Sequence, residues 1–119
     1  MLPEIPMRGE VFWVRFSDGM EGEAKDKHPA LVMSRSAMNS KMSVVIVLPI
    51  TTNTTTVYEF QVAIPANVAG MTSDSKIQIE ALTCVNRERL IERMGRVDSE
   101  MMREVEEKLL RHLGIEIGM

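Results

Sequence analysis

Three kinds of side chain in this 119-residue chain could do chemistry: two histidines, one cysteine and a run of threonines. His28 ends a charged stretch, Glu21-Gly22-Glu23-Ala24-Lys25-Asp26-Lys27, and is fixed by Pro29 where that stretch enters an apolar segment, a common position for functional side chains. His112 lies near the end of an amphipathic segment, where a helix dipole favours a cation, so a structural role accounts for it. Two histidines and one cysteine cannot build a His-rich or Cys-rich metal centre, and neither a metal nor a cofactor is expected. Cys84 cannot form an intrachain disulfide and, among apolar neighbours, is expected to act as a small hydrophobe. Thr51-Thr52-Asn53-Thr54-Thr55-Thr56 follows the strongest apolar run, and its hydroxyls either bind a phosphate or satisfy backbone groups. There is no glycine-rich phosphate loop and no Gly-x-Ser-x-Gly elbow, so nucleotide hydrolysis and serine-esterase chemistry lack support.

The elements that must hold these residues are short. Residues 1–7, with Pro3 and Pro6, read as a loose leader, and 8–119 as a single domain. Val11–Phe16 is the first predicted strand, ended by Ser17-Asp18-Gly19, and Ala30–Met33 the second, starting directly after Pro29. Val44–Ile50 is a continuous β-branched run that implies burial on both faces and hence a central strand. Tyr58–Ile64 and Ile77–Leu82 alternate as strands four and five, Asn86–Leu90 reads as a helical turn, and Met94–Val97 as a brief last strand. Asp98 and Ser99 can both cap a helix in which Met101, Val105, Leu109 and Leu113 recur every fourth residue before Gly114. Short strands of one sheet and a single terminal amphipathic helix give an α+β fold, a small, mainly antiparallel β-barrel.

Composition bounds the function. With 45% hydrophobic and 26% charged residues the chain can bury a core without a staple. The longest apolar run is far below the ~20 residues that span a bilayer, no secretory signal is visible, and the cytoplasm is the default compartment. A net charge of −3 without a basic tail argues against strong nonspecific duplex binding, although a few cations in one groove can still hold a single strand. Eleven methionines serve core filling or adaptable surfaces.

Arg8-Gly9-Glu10-Val11-Phe12-Trp13-Val14, then His28-Pro29-Ala30-Leu31-Val32, then Val47-Leu48-Pro49-Ile50-Thr51-Thr52-Asn53 resemble the MazF/PemK (Kid) family of toxin endoribonucleases. Asp74-Ser75, Ile79-Glu80, Arg89-Leu90, Gly95 and the terminal helix continue the order to about residue 114. The resemblance implies an SH3-like barrel with a C-terminal helix, a homodimer, metal-independent and sequence-specific cleavage of single-stranded RNA that inhibits growth, and a cognate antitoxin that blocks it. It assigns the family's threonine to Thr51, whereas His28 stands where the family has its catalytic arginine, directly before the proline. Glu23 matches an acidic residue five positions before that arginine, and the family's Glu-Gln pair is present only as Glu80 before Ala81. Substrate contacts are expected from Arg8, Glu23, Lys25, Lys27, Thr52, Asn53 and Glu80.

Attack of a ribose 2′-OH on the adjacent phosphate needs a base for that hydroxyl, a proton donor for the leaving 5′-oxygen, and donors for charge growing on the phosphoryl oxygens. A histidine can perform either proton transfer near neutral pH, which an arginine does less readily. It lacks arginine's permanent charge and bidentate fork, so Lys27 or Lys25 must supply the cation, with the Thr51 hydroxyl as a neutral donor. Two other classes stand beside this one: a weak or inactive relative that acts as a binding module, and an SH3-like peptide binder or CcdB-like gyrase-targeting toxin. With few aromatic residues, the chain offers a peptide groove little.

Overall fold

The computed structural model describes residues 5–16 and 27–116. Among these residues seven strands form one sheet in which every pairing is antiparallel: β1 (Glu10–Arg15), β2 (Lys27–Val32), β3 (Val44–Thr51), β4 (Val62–Ile64), β5 (Ser75–Ile77), β6 (Thr83–Asn86) and β7 (Leu90–Arg96). Their order is β4-β5-β3-β2-β1-β7, with β6 also on β3. Among the described residues there are two α-helices, the one-turn α1 (Ser36–Asn39) and α2 (Ser99–His112). The sheet curls into a half-barrel with α2 packed on it, the α+β arrangement expected.

β3 is central, as its composition suggests, with β2 on one edge and β5 and β6 sharing the other. Its burial is not two-sided throughout, since Ile46 is 41% exposed. Proline shapes both of β3's neighbourhoods. Pro49 gives the β5/β6 edge a carbonyl, which accepts from the Gln78 N–H at 2.9 Å, but no N–H. Regular pairing stops there: Ile77 pairs with Ile50 and Thr83 resumes at Val47, so residues 78–82 leave the edge through a 3₁₀ turn, Ile79–Ala81. This divides the expected fifth strand, 77–82, into β5, the turn and β6. Pro29 lies inside β2 rather than before it. Pairing with β3 begins only at Ala30, so the proline sits where β2 has a neighbour, Trp13, on one side alone.

Other boundaries shift for local reasons. The expected strand 58–64 is a strand only from Val62. Before it the chain turns, the Gln61 N–H donating to the Tyr58 carbonyl, and the Tyr58 and Phe60 rings stack at 5.3 Å instead of both entering the core. The polar stretch after β2 holds α1, whose Asn39 is buried and bonded to Ser34 Oγ and to the Pro6 carbonyl. β7 starts at Leu90, four residues before the expected Met94. Cys84 is exposed on β6 opposite Ile46, not sheltered among apolar side chains.

The helix stripe packs on the chain's own core. The Asp98 carboxylate caps α2 by accepting from the Met101 N–H at 2.8 Å, Val105 and Met102 are buried, and Met101 and Leu109 pack on the same cluster. Burying a side chain such as Val105 stabilises by about 1.5–3 kcal/mol. Met101 and Leu109 are half-buried and Leu113, beyond the last turn, is 52% exposed, so the stripe is fully buried only at Val105 and most exposed at its end. Lys108 fastens the helix to the sheet side by donating to the Gln61 carbonyl at 2.8 Å while pairing with Glu104.

One backbone crossing brings β7 against the turn that precedes β5. A Cβ on Gly70 would lie 2.1 Å from the Met94 carbonyl oxygen, and one on Gly95 2.5 Å from the Ala69 carbonyl carbon. Only glycine permits this approach, and Gly70 also has φ +83°. The residues beside the crossing, Met71 and Met94, both contribute to the lining of one cleft.

Candidate active site

That cleft, about 430 Å³, is lined by Trp13 of β1, Lys27, His28 and Pro29 of β2, Ile50 and Thr51 of β3, Thr52, Met71, Thr72 and Met94. Strand register accounts for its polar members. Ala30 and Pro49 are the outermost pair of β2 and β3, and His28 and Thr51 each stand two residues beyond that pair and line the cleft. On the other side His28 is paired with Val14, and its ring lies 6.1 Å from Phe16 at a tilt of 52°. His28 and Lys27 are exposed, whereas Thr51 is half-buried.

The threonine run is anchored rather than loose. Thr51 pairs with Lys76, a largely buried lysine whose Nζ donates to the Thr56 carbonyl at 2.6 Å and lies 5.6 Å from the Tyr58 ring centroid. The Asn53 N–H donates to Thr51 Oγ1 at 3.2 Å, and the Thr55 N–H to Asn53 Oδ1 at 3.3 Å. The hydroxyl of Thr51 accepts from the backbone, which leaves its proton able to point into the cleft. At this residue, local satisfaction and a ligand-facing role are compatible.

The residues expected to act together fall into three groups. His28, Thr51, Lys27 and Thr52 share the cleft. Asn53 follows them at its edge, engaged in the turn. Arg8 and Glu80 stand elsewhere. The Arg8 guanidinium donates to the Met33 carbonyl at 3.0 Å and pairs with Glu106 at 2.7 Å, near the start of α2, and Glu80 accepts from Gln61 Nε2 at 2.9 Å. Glu23 and Lys25 lie outside the described residues. Sequence reasoning did not assign Trp13, Met71, Thr72 and Met94 to a site. The signal available was the pair Gly70 and Gly95, whose contact sets the cleft's walls.

Among the described residues, no group of three His, Cys, Asp or Glu side chains is close enough to hold a metal ion. Nor is any described helix long and apolar enough to cross a membrane. The cleft offers a titratable imidazole, an ammonium and hydroxyls around apolar walls, a set suited to proton transfer and anion binding.

Fold and sequence together place the chain in one class. Residues 7–113 match the model of the PemK-like, MazF-like toxin of type II toxin–antitoxin systems, and the chain belongs to that family. It is similar to endoribonuclease MazF9 of Mycobacterium tuberculosis, 33% identical over 113 residues that cover 91% of this chain and 96% of that protein. The crystal structure of MazF from Deinococcus radiodurans matches with a TM-score of 0.78 at 25% identity, covering 94% of this chain and 99% of that one. The same fold, at 20% identity and a TM-score of 0.74, occurs in an endoribonuclease in complex with its cognate antitoxin from a mycobacterial species, over 96% of this chain and 98% of that one.

Proposed function

We propose that this toxin cleaves single-stranded RNA, without a metal ion and at a preferred sequence, by attack of a ribose 2′-OH on the neighbouring phosphate. The observation that carries the reading is the convergence of His28, Lys27 and Thr51 in one cleft at adjacent strand ends. In the reaction a P–O2′ bond forms and the P–O5′ bond breaks. One proton leaves the 2′-OH and one reaches the departing 5′-oxygen, giving a 2′,3′-cyclic phosphate and a 5′-hydroxyl. His28 moves one of these protons. Lys27 and the Thr51 hydroxyl stabilise the charge that grows on the non-bridging oxygens. His28 thus takes the arginine's place in the family pattern, and the permanent charge it lacks falls to Lys27.

Acting in the cytoplasm as a homodimer, the toxin would slow growth until a cognate antitoxin covers the groove. Support comes from the family match and from the relative that bears the name endoribonuclease. The test is incubation of the purified toxin with a long single-stranded RNA in EDTA, followed by end-group analysis of the fragments. Expected are full activity, cyclic-phosphate or 3′-phosphate ends and 5′-hydroxyl ends. Cleavage of an all-deoxy substrate, or loss of activity on chelation, would overturn the mechanism.

A further inference from the structure

We infer that the cleft takes a nucleobase as well as a phosphate: one base flanking the scissile phosphodiester leaves the strand and stacks on the Trp13 indole, with Met94 beside it. This rests on the RNA-cleaving reading above and adds a binding subsite to it. Phosphate chemistry needs only the polar members of the cleft, His28, Lys27 and Thr51. The remaining lining is Trp13 and Met94, both partly exposed, over the buried Ile50 and Met71, and it offers a phosphate nothing.

Trp13 is the informative one. On β1 its neighbours Val11, Phe12 and Val14 are fully or almost fully buried, while Trp13 stays half-exposed and lines the concavity. An indole presented in this way beside cationic and hydroxyl groups is a stacking platform for a flat aromatic ring, and base stacking tolerates any base because each has a π-face. Methionine thioethers are soft, polarisable and favourable against aromatic edges. Met94 adjoins Gly95 of the Gly70–Gly95 backbone crossing and is partly exposed, whereas Met71, beside Gly70, is buried beneath it in the core. The volume of about 430 Å³ falls within the ~300–1,000 Å³ of small-ligand sites. The hydroxyls of Thr52 and Thr72 at its edge both donate and accept, so the pocket ranks bases by hydrogen bonding only weakly.

Trp13 is the only tryptophan of the chain, so its fluorescence reports on this pocket alone. The probe is a seven-nucleotide RNA spanning a mapped cleavage site or, if nothing is cut, the tightest-binding heptamer of a random pool, with a single 2′-deoxyribose blocking attack. Binding should change Trp13 emission saturably. Replacing one of the bases flanking the scissile phosphate by an abasic site should weaken binding to the wild type on the order of 10- to 100-fold, the effect of one lost stack. Trp13→Phe should keep most of that dependence and Trp13→Ala should lose it. Should Trp13→Ala fail to fold, the wild-type emission change and abasic scan decide alone. Unchanged emission at saturation, no flanking base whose removal matters, or equal abasic losses in wild type and Trp13→Ala would overturn the pocket. An RNA bound with this base dependence but never cut would overturn the nuclease reading and leave the pocket standing.

Discussion

At the end of the sheet where α2 begins, charged side chains are spent on the protein itself. Arg8 binds the Met33 carbonyl and Glu106, and the Glu10 carboxylate accepts from the Met7 N–H at 2.7 Å and pairs with Arg93 at 2.6 Å. At the other end of β1, Lys27 and His28 are exposed at the mouth of a concave cleft, and the nearest aromatic neighbour of His28, Phe16, offers it no hydrogen-bond acceptor. The first arrangement joins helix, sheet and N-terminal turn through groups that would otherwise need water. In the second, among the described residues, no side-chain hydrogen bond or ion pair engages Lys27 or His28. Within one chain, a residue's polarity is therefore less informative than whether its partners are already present.

The largest effect that should separate the two ends is on the crossing that shapes the cleft. Gly70→Ala places a methyl against the Met94 carbonyl at a residue with positive φ. It should lower stability by about 2 kcal/mol or more and remove cleavage with it. Chemical denaturation of wild type and variant checks this, and equal midpoints would mean that the crossing does not hold the cleft.

The next effect is confined to the cleft. Thr51→Ala should reduce the cleavage rate by up to about 10²- to 10³-fold, the range for one transition-state donor. The melting temperature should hold, and Thr51→Ser should recover much of the rate. A variant that cuts normally would leave Thr51 only its turn with Asn53.

Arg8→Ala, at the satisfied end, should do the reverse on a smaller scale. Loss of a half-exposed ion pair and one hydrogen bond costs about 1 kcal/mol of stability, and KM for RNA should not move. A raised KM with unchanged stability would return Arg8 to the substrate surface that its sequence motif suggests.

The same contrast explains what the sequence made legible. His28 and Thr51 stand out because prolines mark the strand ends that carry them, and composition identifies β3 as central. The cap at Asp98 follows from a local rule. The interruption after β5 does not, because alternation across 77–82 carries no sign of what Pro49 withholds on the facing strand. Arg8 adjoins a family-like glycine, yet its partner Glu106 comes from the far end of the chain, and no local period encodes that pairing. Trp13, Met71 and Met94 meet through the Gly70–Gly95 crossing, a long-range contact of the same kind.

The central claim is that His28 performs, at the mouth of this cleft, the proton transfer that RNA cleavage requires. Its most direct test is single-turnover cleavage of a saturating single-stranded RNA by wild type and His28→Ala, with thermal melts of both. A rate loss on the order of 10²- to 10⁴-fold at unchanged melting temperature is expected, since His28 is exposed and its loss opens no core cavity. Cleavage by His28→Ala at the wild-type rate would contradict it.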